Sequence, residues 1–549
     1  MTLQGRIIER VLKVSPALTR DVKVTKDLRF LAYDGVQLLA NLHEPRDVPN
    51  APTLLVRTPY ARTGLVSRLI SSTFAERGYN VLVTAARGTD GSGGVLEPFR
   101  NETDDGLATL DWIEKQPWHN GKIVMFGPSY LGFVQYAAAV EAGDRIDALF
   151  PMIGSSDIGS DLLGGDTVSL AGVAAWTARM VTSERHTPLL ADFKEIVGDK
   201  RARKAMEHLP LREIDIVGTG CRVPYFQQWL DNSDPAMPYW KSERSCADRV
   251  GDIVAPTLHF TGWQDILLPT QLADYASMRA AGRDPYLTVG PWTHVDFSQF
   301  DHAVTEALTW FEAHTTGDHS KLRELPVRLY IFGADEWRDY PEYPPPGVGD
   351  HVFNLWPGGG LGGEPAAPGA VDRFTYRPSD PTPDVGGPLL DPRTAGSKDQ
   401  KSRESRADVA VYTGKTLCQP LEVIGPVSAQ IRLRTSSEHA DVFVRLCDVD
   451  EDGVSTNVCD GIQRITTGAF PVDEEGARLV TVQCWPTAYR FKPRHQLRVQ
   501  VSGGSFPRFA RNLGTDDPLG TATRMVDVDY EILPGSTVTL SMLPSASAH

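Results

Sequence analysis

Between Thr53 and Glu141 two periodicities alternate. The runs TLLVRTPY (Thr53–Tyr60), NVLVTAA (Asn80–Ala86) and KIVMF (Lys122–Phe126) are short, apolar and β-branched. Between and after them lie segments of helical spacing: Leu65–Arg77, Asn101–Gln116 with Leu107, Leu110 and Ile113 on one side and acids in its first turn, and an Ala-rich stretch from Leu131 to Glu141. Short uninterrupted apolar strands separated by helices require a mostly parallel sheet buried on both faces. The preceding stretch, LRFLAYDGVQLLANLHEP, reads as a hairpin turning at Asp34-Gly35.

The rhythm breaks near Gly154. From about residue 160 to 245 the chain is helical and aromatic, without a strand pattern. Strand signals return in APTLHFTG, YLTVG and VRLYIFG, with a helix around Ala303–Thr315. An all-helical insert between sheet strands has the outline of a cap. Past Tyr340 the proline-rich PEYPPPGVGD leads into short alternating runs, AQIRLRTSS, ADVFVRLCDVD, LVTVQCW, QLRVQVSG and STVTLSML, which suggest a β-sandwich or jelly roll. A chain of 549 residues is too long for one core. The expected division is 1–158 and 248–342 as two parts of an α/β domain, 159–247 as the inserted cap, and 343–549 as the all-β domain. No internal repeat is present.

With 55 basic against 70 acidic residues the net charge is -15, and no basic stripe offsets it, so nucleic acid and anionic membranes are excluded as expected partners. Charges interrupt the N-terminal MTLQGRIIERVLKVSPALTR too often for a signal peptide, and no run of about 18 apolar residues occurs. The six cysteines are scattered, without a C-x-x-C pair or zinc spacing. Free thiols, a cytoplasmic location and no metal or cofactor are expected. Nothing fixes the oligomeric state; a homodimer is left open.

The strand KIVMF runs into GPSYLG and then a helix. A nucleophile elbow needs little bulk two residues before its serine and a helix just after it, and Gly127 and Leu131–Glu141 meet both needs around Ser129. Such a serine requires a general base, and the base an orienting carboxylate. In TLHFTGWQD, Asp265 lies in the loop after the strand, and in YLTVGPWTH, His294 lies in the loop after the next, giving the order Ser, Asp, His at three strand ends. His259 lies inside a strand and reads as an interior histidine; Asp296 and Asp301 are weaker acids for the role because they follow the histidine. An oxyanion would take one donor from the Tyr130 amide. The hydroxyl of Tyr60, in VRTPYART, is a candidate for the second, though the same residue could simply pack at a strand end.

Together these pieces resemble the cocaine-esterase-like branch of the X-prolyl dipeptidyl-peptidase family of α/β-hydrolases. The resemblance rests on RTPYAR (Arg57–Arg62), ARGTDGSGG (Ala86–Gly94), DDGLATLDWIEKQPWHNGKIVMFGPSYLGF (Asp104–Phe133), GWQD, GPWTH, VRLYIFGADEWRD, the segment Asp408–Gly453 and SFPRFARN (Ser505–Asn512). It implies an α/β-hydrolase domain with an inserted helical cap plus a C-terminal all-β jelly-roll domain. It also implies Ser129 as nucleophile, His294 as base, Asp265 as orienter, and Tyr60 with the Tyr130 amide as oxyanion donors. One position departs: an acid usual two residues before the arginine of the family's D-x-R-G segment is Ala85 here, which leaves the partner of Arg87 open.

The expected function is hydrolysis of a carboxylic ester of apolar or aromatic acyl group through an acyl-enzyme, with a small-molecule ester or amide as partner. X-Pro dipeptidyl-peptidase or α-amino-acid ester or amide hydrolysis is the alternative; an inactive carbohydrate-binding protein is a third reading. Candidate pocket residues are Trp176, Trp263, Leu267, Tyr225 and Phe226, with Phe193 and Trp229 as further cap aromatics. An ammonium-bearing substrate would instead call on clustered acids such as Asp157, Asp161, Asp166 and Glu184. Because Tyr130 would act through its amide, its side chain is expected to be replaceable.

Overall fold

The computed structural model describes residues 14–185, 200–242, 244–367 and 369–543. Phe193 and the first 13 residues of the N-terminal stretch lie outside them. The sheet anticipated between the helices is there, with ten strands: β1 (Val22–Leu31), β2 (Gln37–Pro45), β3 (Thr53–Thr58), β4 (Asn80–Ala85), β5 (Ile123–Pro128), β6 (Ala148–Met152), β7 (Leu258–Gln264), β8 (Tyr286–Thr293), β9 (Val327–Ile331) and β10 (Glu336–Tyr340). Their spatial order is β1-β2-β4-β3-β5-β6-β7-β8-β9-β10. Every neighbour pair from β4 to β9 is parallel, whereas β1, β2 and β10 pair antiparallel. β3 and β4 are buried at every position, because crossover helices cover both faces. Those helices are Leu65–Ala75, Glu102–Ile113, Tyr130–Ala142, Leu268–Ala280 and Gln299–Thr316. The Asp34-Gly35 turn closes the β1–β2 hairpin, with Gly35 at φ 83° and the Val36 N–H donating to Asp34 Oδ1 at 3.2 Å.

Between β6 and β7 the described elements are all helical, the longest being Leu170–Arg185, and Trp229 and Trp240 are buried among them. Eleven strands, β11–β21, between Gly349 and Met542, form the second sheet system. β18 (Arg478–Phe491) alternates buried and exposed side chains over its first half, the signature of a sheet with one wet face.

Among the described residues, two seams join this all-β domain to the rest. At the first, Phe332 at the end of β9 exchanges backbone hydrogen bonds with β18, its N–H donating to Ala488 O at 3.0 Å and its carbonyl accepting from the Arg490 N–H at 2.8 Å. Ile424 and Ala488 there enter the same hydrophobic cluster as Leu268, Leu287, Val327 and Leu329. At the second, the Ala510 N–H donates to Val168 O in the cap at 2.9 Å. Among the described residues no helix is long and apolar enough to cross a membrane.

Candidate active site

Ser129 stands between β5 and the Tyr130–Ala142 helix with φ 60° and ψ −121°. A non-glycine residue there is strained by about 1–3 kcal/mol and persists because its surroundings impose it. Those surroundings are visible. A Cβ on Gly127 would lie 2.4 Å from Leu131 Cβ, and one on Gly132 would lie 2.8 Å from Gly154 Cα, where the helix crosses the end of β6. The Ser129 N–H donates to Met152 O at 2.9 Å. Both glycines of GPSYLG therefore serve the bend: one admits the first helical turn, the other brings the helix against the neighbouring strand.

β7 and β8 are parallel neighbours, so the loops leaving their C-terminal ends are adjacent. Asp265 leaves one and His294 the other. His294 Nδ1 is 2.8 Å from Asp265 Oδ2, and His294 Nε2 is 3.0 Å from Ser129 Oγ. A carboxylate beside Nδ1 fixes the neutral tautomer with its proton there, so Nε2 accepts from the serine hydroxyl. Asp265 is fully buried, and its other oxygen accepts from the Leu267 N–H at 2.7 Å. His259 sits inside β7 with Nδ1 2.8 Å from the Tyr136 hydroxyl, and burial pushes its pKa down to about 3, which keeps it neutral. Asp296 lies just before the Gln299–Thr316 helix and Asp301 in its first turn, where each carboxylate accepts a backbone N–H, from Ser298 and His302 respectively.

Tyr60 follows β3, and its hydroxyl oxygen accepts from Trp176 Nε1 of the Leu170–Arg185 helix at 3.1 Å. The hydroxyl proton is then left to donate elsewhere. Arg179, one helical turn on, holds its guanidinium 4.1 Å above the Tyr60 ring. Tyr130 is the first residue of its helix, so its N–H has no intrahelical acceptor.

The Tyr130 side chain is engaged in its own contacts, away from the amide. Its buried hydroxyl donates to Glu102 Oε1 at 2.7 Å and accepts from the Phe99 N–H at 3.0 Å. Glu102 is ion-paired at 2.8 Å with Arg57 of β3, both out of solvent. Burial raises the Glu102 pKa, against the pull of Arg57 and the Tyr130 hydrogen bond. The signal was available: an arginine inside TLLVRT must find a partner once the strand is buried.

The proposed pocket residues separate. Trp176 lies parallel to the Tyr130 ring with centroids 6.4 Å apart, Tyr225 meets Trp176 edge-on at 5.6 Å, and Leu267 is held beside Asp265. Phe226 is placed instead in the core of the cap, beside a small cavity it shares with Ala174, Thr177 and Ile214. Trp263 also sits apart: β7 shifts register between Gly262 and Gln264, and the indole donates to Tyr330 O at 2.7 Å and packs on Tyr343. Arg87, the residue left in question by Ala85, pairs with Asp105 at 2.6 Å and with Asp34. One contact had no sequence signal at all: Trp485 of β18 donates its indole N–H to the backbone oxygen of Asp265 at 2.9 Å, from 220 residues away. No group of three or more His, Cys, Asp or Glu is placed to hold a metal ion among the described residues.

Comparison with known proteins agrees with this architecture. Residues 34–296 match the X-Pro dipeptidyl-peptidase (S15 family), and residues 316–531 match the X-Pro dipeptidyl-peptidase C-terminal non-catalytic domain. Cocaine esterase of Rhodococcus sp. (strain MB1 Bresler) is 32% identical over 526 residues, covering 88% of this chain and 91% of that protein. Two solved structures share the fold. An α-amino acid ester hydrolase has a TM-score of 0.81 at 21% identity, over 96% of this chain and 98% of its own. An aminopeptidase from the marine sediment archaeon Thaumarchaeota archaeon has a TM-score of 0.80 at 19% identity, over 95% and 97%. By the identity and coverage shared with cocaine esterase and the two family matches in tandem, the chain belongs to the X-Pro dipeptidyl-peptidase family of α/β-hydrolases, in the cocaine-esterase-like branch, and is a serine hydrolase.

Proposed function

We propose that the protein hydrolyses carboxylic esters with an apolar or aromatic acyl group, through an acyl-enzyme formed on Ser129. The observation that carries this reading is the continuous Asp265–His294–Ser129 hydrogen-bonded chain of 2.8 and 3.0 Å. His294 takes the hydroxyl proton as Ser129 Oγ attacks the ester carbonyl, then returns it to the departing alkoxide. The Tyr130 N–H and the Tyr60 hydroxyl donate to the tetrahedral oxyanion, each contributing about 3 kcal/mol. Water activated by the same histidine then attacks the acyl-enzyme, and Ser129 leaves with the proton.

Phe99 and Trp176, packed on Tyr130, and Tyr225, edge-on to Trp176, favour an apolar acyl group. Three of the four cap acids that could hold a substrate ammonium are engaged otherwise, while at Tyr225 burial, and after it the nearby Glu184, raises the pKa of the hydroxyl. Asp157 pairs with Lys241 at 2.8 Å, and Asp166 accepts from Gln463 at 2.6 Å. Asp161 accepts from Thr270, and burial raises its pKa well above the carboxylate range, which favours the neutral acid. Hydrolysis of X-Pro anilides or α-amino esters is accordingly the second reading. Ser129→Ala should lower turnover of a p-nitrophenyl acyl ester by about 10⁴-fold or more and abolish labelling by a fluorophosphonate. Retained turnover refutes the reading; faster cleavage of an X-Pro anilide than of neutral esters transfers it to the peptidase class. We place the enzyme in the cytoplasm, to be checked by fractionation of the native cell.

A further inference from the structure

The backbone oxygen of Asp265 has two donors. One is the Leu268 N–H of the helix that follows, distant at 3.4 Å. The other is the Trp485 indole N–H at 2.9 Å, which comes from the all-β domain. That oxygen and the carboxylate belong to one tight turn, in which the Asp265 N–H donates to Gly262 O at 3.0 Å and Asp265 Oδ1 accepts from the Leu267 N–H. Fixing the oxygen fixes the turn, and with it the direction of the carboxylate that faces His294.

The indole is itself held from behind. The Arg508 guanidinium lies 4.7 Å from its ring centre, and Arg508 is ion-paired to Asp460, which also takes Arg445 Nη2 at 2.8 Å. Arg445 is further tied to Asp384 at 3.2 Å. The side chains of these four charged residues are between 0% and 3% exposed, so none can swing without leaving a buried charge alone. A second tie lies next to the first. Gln264, the residue before Asp265, donates from Nε2 to Ser397 Oγ at 2.9 Å. A Cβ on Gly396 would come within 3.3 Å of Gln264 Oε1 and 3.7 Å of Thr293 Cγ2, the residue before His294. The all-β domain therefore touches the chain at both loops that supply the acid and the base.

We propose that Trp485 is a positioning residue for the reaction: through Asp265 it sets the acid–base pair, and the domain whose family description is non-catalytic holds half of the catalytic geometry in place. This rests on the triad reading above. A small displacement of a catalytic group is enough to cost one to two orders of magnitude in rate without altering ground-state binding.

The test is steady-state hydrolysis of a p-nitrophenyl acyl ester by Trp485→Phe, which keeps an aromatic ring and removes the donor. The expected result is a fall in kcat of about 10-fold with KM within about two-fold, and no further fall when Trp485→Phe is added to Asp265→Asn. A merely structural role would lower soluble yield or Tm while leaving kcat per labelled site intact. If the phenylalanine variant does not fold, benzothienylalanine incorporated at 485 keeps the bicyclic shape and lacks only the N–H; the same kcat loss is expected. Unchanged kcat in either replacement, with Ser129→Ala inactive and Asp265→Asn slowed by orders of magnitude but still measurable, overturns this inference alone. Full activity of Ser129→Ala and Asp265→Asn overturns the triad reading instead.

Discussion

Tyr130 offers two groups that face different ways. Its amide opens the helix beside Ser129, while its hydroxyl completes the buried Arg57–Glu102 pair. These roles separate in Tyr130→Phe. Loss of the hydroxyl leaves Glu102 and the Phe99 N–H each short of a partner, at a cost of about 1–3 kcal/mol, whereas the amide is untouched. Thermal melting should drop by several degrees with kcat preserved to within about three-fold. A collapse of kcat at unchanged Tm would show that the ring, not the amide, serves the reaction. Asp274 supports a second prediction. It is buried behind the cap, accepts the Ser156 N–H at 3.1 Å and the Ser156 hydroxyl, and burial, with the nearby Asp157 adding to it, raises its pKa from 3.8 to about 7. Between those values the unfolded chain has released a proton that the folded protein keeps. The contribution is thus fully present below about pH 4 and is lost as pH rises to about 7, at about 1.4 kcal/mol per pH unit. Asp274→Asn should flatten the decline in stability across that window, measured by thermal melts from pH 4.5 to 7.5. Parallel curves for the two proteins would remove Asp274 as the cause.

At the scale of elements, the Leu170–Arg185 helix places Trp176 and Arg179 three residues apart, on the face that meets Tyr60. This helix sets which way the Tyr60 hydroxyl points. Trp176→Phe should lower kcat by about five-fold, the value of one lost hydrogen bond, and have no effect in a Tyr60→Phe background. Additive losses in the double variant would detach the cap from the oxyanion. Elements also show what the sequence made legible. β7 and β8 were readable because each apolar run ends in a residue of distinct chemistry, and the elbow because Gly127 and the helix after Ser129 are local. β10 went unread: EWRDY is an edge strand with no buried position, so it carries no alternation of burial. β15 was read only from Ala429, since Pro426 and the irregular pairing at Gly425 hide the run of Leu421–Thr435 as one strand. Trp485 was illegible for a different reason. A single indole in an alternating strand looks like any core residue, and its partner is a backbone oxygen, which has no sequence identity.

Taken whole, the molecule is built as two domains with a shared core, since Ile424 and Ala488 complete a cluster otherwise made from β7–β9 and the helix between them. Heating should therefore give one calorimetric transition, and residues 1–342 expressed alone should be insoluble or inactive. Two resolved transitions would contradict the shared core. Gly333 marks a tight point of that seam: it has φ 76°, and a Cβ there would lie 2.1 Å from Arg490 O. Gly333→Val should cost several kcal/mol and lower kcat together with Tm.

That seam also determines how such chains can be recombined. The proline-rich stretch after Tyr340 looks like a natural crossover point for chimeras between relatives. A cut there would combine one parent's β9, Gly333 and Asp265 turn with the other parent's Ala488, Arg490 and Trp485. Productive chimeras should be those whose parents agree on both sides of that contact, so compatibility between donors is decided by a handful of paired positions far from the splice.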